Sequence, residues 1–401
     1  MSEITGGEQT QRGSLTDDWL ATVRRRLEAL TGYASTEGNA VDVYRNGDRI
    51  FPAMLDAIRH AERTVDLMTY IYWKGTIGSD FTRALSESAA NGVRVRLLID
   101  AVGGLNVDRD DVAAMKDAGV HLEWFRVPWL RSPFKQNHRC HRKVMIVDEQ
   151  IAFTGGVGIS DRWCGDARNE NEWRDTHIRV RGPAVDGLRA AFVQDWAENG
   201  AALIDTGIDL LPSQPHVGDA VLHVVRGSAS LGYDDLQTLF RVAIGSAQER
   251  VRLSTAYFTP STDFRQLLIT TAQRGVEVDV LLPGPHADKS VSRLASESVY
   301  EELVEGGVRV WNFQPTMLHV KTLTVDRRLA VIGSANFNRR SMDHDEEVVV
   351  AILNQDVTAI FDKHFEDDLE RSEPIDPARW ERRRPAQKLY EAAVMPLRRW
   401  L

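Results

Sequence analysis

The stretch HRKVMIVDEQIAFTGG, residues 141–156, is answered later in the chain by HVKTLTVDRRLAVIGSAN, residues 319–336. Each opens on His-x-Lys, runs four residues to an aspartate, and ends in a glycine-bearing turn. The apolar residues between are mostly Val, Ile, Leu and Met, a pattern that reads as a buried strand, a turn at the aspartate and a second strand. In a strand, residues i and i+2 share a face. His141 and Lys143 therefore present an imidazole beside an ammonium, and so do His319 and Lys321. One such pair can be an accident of composition; two at matching places ask for a reaction that uses two histidines.

The surroundings repeat as well. FPAMLDAIRHAERTVDLMTYIYW (51–73) reads as a helix and a strand, as does LQTLFRVAIGSAQERVRLSTAYFTP (236–260). VRVRLLIDAVGG (93–104) is matched by VEVDVLLPGP (276–285), and DAGVHLEWF (117–125) by EGGVRVWNF (305–313). Helices alternating with short V/I/L-rich strands predict an α/β fold, and the internal repeat predicts two similar domains facing each other. The divisions read as a partly helical leader over 1–40, a first domain over 41–203, a linker over 204–219, a second domain over 220–370 and a basic amphipathic tail over 371–401. The linker is placed by its Gly, Pro and Ser and its lack of periodicity.

Composition narrows the class. A chain of 401 residues, 43% hydrophobic, is long enough for a large core split between domains. A net charge of −9 argues against blanket attraction to nucleic acid, so none is expected as a partner. Two cysteines, Cys140 and Cys164, make no disulfide framework. The first twenty residues lack the apolar core of a signal peptide. No window reaches the ~20 consecutive apolar residues that cross a bilayer.

Two imidazoles, two ammoniums and backbone N–H groups from the glycine turns suit a phosphate whose oxygens gain charge in the transition state. Two histidines also divide a phosphodiester exchange into easier steps. One neutral imidazole attacks phosphorus while the other, protonated, serves the leaving alcohol. Each needs a partner that fixes its tautomer; Asp175, in ENEWRDTHIRV, and Glu347, in DHDEEVVVAIL, are the candidates. Asp148 and Asp326 fall where each strand turns, which suits turn formation, and they enter the candidate catalytic set as members of the motif. No Cys/His/Asp group has metal-ligand spacing, and no metal or other cofactor is expected.

The paired motif resembles that of the phospholipase D superfamily, His-x-Lys-x4-Asp followed by Gly-Ser-x-Asn. TGGVGISDRW, WRDTHIRVRGPAV and YEELVEGGVRVW bring it close to the cardiolipin synthase branch. The resemblance implies two α/β sandwich domains with the active site at their interface and a phosphohistidine intermediate. It also implies transfer of a phosphatidyl group between phosphatidylglycerol molecules with release of glycerol. Carried over, His141 would be the nucleophile, as the N-terminal histidine is in family precedent, and His319 the general acid. Lys143, Lys321 and Asn336 would hold the phosphate, with Gly333, Ser334, Gly155 and Gly156 around it. The first copy departs from the pattern: GGVG puts Gly156 in the serine place and Gly158 in the asparagine place. A phospholipase D that passes the intermediate to water, a nuclease, and an inactive membrane-binding scaffold are the alternatives.

Before the first motif, Trp129, Leu130 and Phe134 interleave with Arg131 and Lys135. Apolar anchors among cations suit an anionic membrane surface. The expected setting is thus the cytoplasm, peripheral on the inner face of the cell membrane.

Overall fold

The computed structural model describes residues 5–127, 138–200, 212–228 and 234–376, with side chains from Asp18 onward. The first half supplies β1 (Thr36–Arg45), β2 (Thr64–Thr69), β3 (Arg94–Asp100), β4 (His121–Phe125), β5 (Val144–Val147), β6 (Ile151–Gly155) and β7 (Thr176–Arg181). The second supplies β8 (Ala220–Gly227), β9 (Arg250–Thr255), β10 (Phe258–Thr259), β11 (Glu277–Pro283), β12 (Arg309–Phe313), β13 (Lys321–Val325), β14 (Leu329–Gly333), β15 (Phe337–Asn338), β16 (Glu347–Leu353) and β17 (Ser372–Pro374). All but β10 and β15 form one 15-stranded sheet in the order β17-β12-β11-β9-β13-β14-β16-β8-β1-β7-β6-β5-β2-β3-β4.

Outward from the β8–β1 junction, both arms follow one plan. First comes β16 or β7, then the motif hairpin (β14 and β13, or β6 and β5), then the parallel strands β9, β11 and β12, or β2, β3 and β4. The two halves do not merely face each other. β1 pairs antiparallel with β8, placing Thr36 opposite Leu222 and Asn39 opposite Ala220, so their sheets join edge to edge.

The motif strands are buried on both faces, as their unbroken apolar runs predict. On one face, helices such as Gly47–Arg59 and Thr76–Ala90 cover the first arm, and Asp235–Gly245 and Thr262–Gln273 the second. On the other, Val185–Glu198 and Gln355–Leu369, one from each half, close a single core that spans the junction. It holds Ile146, Leu188, Phe192, Ile332, Val350 and Phe361, each worth about 1.5–3 kcal/mol when fully buried.

The first and last described elements belong to this body. The helix Thr5–Thr31 buries Trp19, Val23 and Leu27 in the second half's core, and Trp19 Nε1 donates to the Ser246 carbonyl at 3.0 Å. β1 begins inside the stretch read as leader, and β17 adds to the sheet edge beside β12. Residues 204–211 of the expected linker and 377–401 of the tail lie outside the described residues. Among the described residues no helix is long and apolar enough to cross a membrane.

Asp148 and Asp326 tie this scaffold together, away from the histidines. Both take positive φ, 51° and 52°, which Asp tolerates at a tight turn. The Asp148 carboxylate accepts backbone N–H groups of Glu62, Arg63 and Thr64 at 2.7–3.0 Å. Asp326 accepts those of Gln248, Glu249 and Arg250, each at 2.8 Å. Each therefore fixes the entry of β2 or β9. Six residues of mostly extended chain, roughly 20 Å, separate them from His141 and His319. The geometry thus ties both carboxylates to the turns.

Candidate active site

Two short backbone crossings set the site. His141 N–H donates to the Glu346 carbonyl at 2.9 Å and Glu346 N–H to that of Arg139 at 2.8 Å. In the other crossing, His319 N–H donates to the Arg174 carbonyl at 2.8 Å and Arg174 N–H to that of Met317 at 3.0 Å. The stretch bearing each histidine thus lies beside the stretch bearing the other half's carboxylate.

Side chains repeat the exchange. His141 Nδ1 is 2.9 Å from Glu347 Oε1, and His319 Nδ1 is 2.7 Å from Asp175 Oδ2. Both carboxylates are fully buried acceptors, so each favours a proton on Nδ1; the His319 ring also has Lys321 Nζ 2.9 Å from Nδ1 and 3.2 Å from Nε2. Lys143 Nζ donates to the His141 carbonyl at 2.7 Å, and Lys321 Nζ to the His319 carbonyl at 2.6 Å. Each ammonium is thereby held beside its own imidazole.

Below the site, Arg142 is fully buried. It donates to Asp195 at 2.8 Å, to the Glu347 carbonyl at 3.0 Å and to the Gly227 carbonyl at 2.8 Å. Arg174 bonds Asp368 at 2.9 Å. Guanidiniums on one half and acceptors on the other hold the crossings in place.

Electrostatics makes the four groups one unit. Burial, joined by Lys143 and Lys321, pushes His141 down to about 4 against the opposing pull of Glu347. Burial and the lysines push His319 down to about 3. Burial likewise lowers Lys143 to about 8 and Lys321 to about 7. It pushes Glu347 and Asp175 up, but their cationic and hydrogen-bonding partners outweigh it and both settle below the ordinary range. At neutral pH the 2.9 and 2.7 Å contacts are therefore neutral imidazoles donating to carboxylates. The protonated histidine expected from the sequence requires an anionic ligand in the site to raise it.

The glycine loops differ between halves. Ser334 donates to Glu347 Oε2 and accepts from Val348 N–H at 3.1 Å, so its hydroxyl serves the carboxylate behind His141 and not a phosphate. Gly155 and Gly333 lie against the next strand, where a Cβ would meet the carbonyl of Thr176 or Val348. A Cβ at Gly156 would collide with the Asp175 carboxylate. These four positions are tied to the neighbouring strands and to the two carboxylates. Asn336 is different. Its Oδ1 is buried without a partner among the described residues, and its Nδ2, the atom able to donate to a phosphate oxygen, lies 3.5 Å from Ser341 Oγ.

Sequence reasoning missed the aromatic walls. Trp173 stacks on the His319 ring at 5.4 Å, Trp163 meets it edge-on at 5.1 Å, and Tyr70 meets His141 edge-on at 5.3 Å. One signal for Trp163 was present in TGGVGISDRW, where Gly158 leaves out a side chain beside the indole. Trp129, Leu130, Arg131, Phe134 and Lys135 lie outside the described residues. Among the described residues no cluster of three or more His, Cys, Asp or Glu could hold a metal ion.

The sequence profile of the family described as "Cardiolipin synthase, PLD-like domain" matches residues 54–196 and 240–369, one span in each half. Cardiolipin synthase 2 of Bacillus anthracis is 32% identical over 391 residues, covering 96% of this chain and 74% of its own. A probable cardiolipin synthase of Bacillus subtilis strain 168 is 32% identical over 361 residues, covering 89% and 71%. Among solved structures, phosphatidylserine synthase of Haemophilus influenzae Rd KW20 superposes with a TM-score of 0.69 at 15% identity, over 95% of this chain and 100% of that one, a likeness of fold. Matched in both halves by that profile, and over most of its length by such relatives, the chain belongs to the phospholipase D superfamily as a cardiolipin synthase-like phosphatidyltransferase.

Proposed function

We propose that the chain moves a phosphatidyl group from one phosphatidylglycerol to a second, making cardiolipin and glycerol. The observation that carries this reading is the crossed pair of histidine–carboxylate couples, each beside its own lysine. His141 Nε2 attacks phosphorus and the bond to the glycerol oxygen breaks. That oxygen takes the proton from His319 Nε2, and glycerol leaves. A hydroxyl of the second phosphatidylglycerol then gives its proton to His319 and attacks phosphorus, and the P–N bond breaks. Glu347 and Asp175 stabilise each imidazolium as it forms. Lys143, Lys321 and the Asn336 amide hold the phosphate oxygens.

The reading places the protein on the anionic inner face of the cell membrane. The stretch from Trp129 to Lys135 would supply the contact, at about 1 kcal/mol per cation near the surface. The test is the pure protein with phosphatidylglycerol vesicles. Cardiolipin and glycerol in equal amounts support transfer, and phosphatidic acid with glycerol would make the chain a hydrolase instead. Cleavage of single-stranded DNA with no turnover of lipid would sink both.

A further inference from the structure

Counted from the shared loop glycines, Gly155 and Gly333, the first half carries Gly156, Gly158 and Trp163 where the second carries Ser334, Asn336 and Ser341. One of the three second-half roles has passed to Trp163. Trp163 Nε1 donates to Asp175 Oδ2 at 2.9 Å, the service that Ser334 performs for Glu347. Its ring also borders the place where an asparagine side chain would start: a Cβ at Gly158 would stand 2.9 Å from Ile71 Cβ and 3.2 Å from the indole. The same ring packs on Trp173 at 4.7 Å and on the edge of His319 at 5.1 Å. His141 has a smaller enclosure, with Tyr70 at its edge and a side chain 12% exposed against 6% for His319.

We propose that Trp163 is a positioning residue for His319. By holding Asp175 through its indole N–H and walling the ring from water, it commits this histidine to proton transfer and leaves attack on phosphorus to His141. The inference rests on the transfer reading above. An imidazolium formed between two indoles is poorly solvated, so it gives up its proton readily to a departing alkoxide, and burial already holds this ring down to about 3. The Asp175 carboxylate aligns Nδ1–H only while it is itself fixed, and its second donor on Oδ2 is Trp163.

Leaving groups separate this role from a structural one. Glycerol needs a proton to depart, whereas p-nitrophenolate does not. Trp163→Phe keeps a ring in place and deletes the N–H. First-turnover release of glycerol from phosphatidylglycerol is expected to fall about tenfold, the size of one hydrogen bond to a charged group. Release of p-nitrophenolate from phosphatidyl-p-nitrophenol should change less than about threefold, since no proton transfer is lost. Equal slowing of both substrates, or unchanged glycerol release, overturns the proposal while leaving transfer intact. Wild-type protein that releases no glycerol overturns the transfer reading and this one with it.

Discussion

Replacing each buried carboxylate by its amide should separate charge from hydrogen bonding, with unequal results in the two halves. Glu347 receives one donor on each oxygen: His141 Nδ1 on Oε1 and the Ser334 hydroxyl on Oε2. In Glu347→Gln the amide oxygen can still accept from His141. The amide N–H can be met by Ser334, whose hydroxyl turns to the Val348 carbonyl 3.4 Å away. His141 and Ser334 both keep a partner, so folding stability should change less than in Asp175→Asn, by about 1 kcal/mol. Asp175 has no such freedom. Oδ2 takes both His319 Nδ1 and Trp163 Nε1, while Oδ1 takes Thr176 N–H at 2.8 Å. Whichever way an asparagine is turned, its NH₂ faces at least one buried donor, a cost of about 1–3 kcal/mol. Both variants lose the charge that stabilises an imidazolium, so both should lose on the order of 10²–10⁴ in kcat for cardiolipin formation. Urea denaturation and initial rates, read on the same preparations, decide it. Equal stability losses, or Glu347→Gln within threefold of the parent rate, would refute the crossed pairing as the working arrangement.

Acid should destabilise the fold through the same histidines. Their folded values, about 4 and about 3, lie below the 6.5 of the free side chain, so below pH 6.5 the unfolded chain binds more protons. Their contribution is complete above that pH and is lost as pH falls toward 4 and 3, which urea melts should show and a His141→Asn/His319→Asn variant should flatten. An unchanged slope in the variant counts against neutral imidazoles. Asp326→Ala should cost about 1.5–3 kcal/mol for each strong backbone contact that water does not replace, with kcat of the folded protein within threefold of the parent. A hundredfold fall in kcat without loss of stability would restore Asp326 to the chemistry.

The motif strands, their repeat and the candidate pairs were legible because local pattern carries them. A His-x-Lys on one strand face and a run of buried Val and Ile need no knowledge of the rest of the chain. The crossing was not legible. That His141 meets Glu347 and not a carboxylate of its own half depends on a backbone contact between residues 206 apart, which no local period encodes. The turn aspartates show a different limit. The sequence places Asp148 in the motif, but only the structure shows its carboxylate spent on three backbone N–H groups. Trp163 lay between these cases: the side chain missing at Gly158 announced a space, and only tertiary packing could say what borders it.

The β1–β8 junction has one more consequence. Halves joined edge to edge, each lending its carboxylate to the other's histidine, form a homodimer written as one polypeptide. In a true homodimer every substitution appears twice, so a change that favours attack on phosphorus in one subunit is imposed on the proton donor in the other. A single chain is free of that constraint. Gly156, Gly158 and Trp163 on one side stand against Ser334, Asn336 and Ser341 on the other, a difference that two identical subunits could not hold.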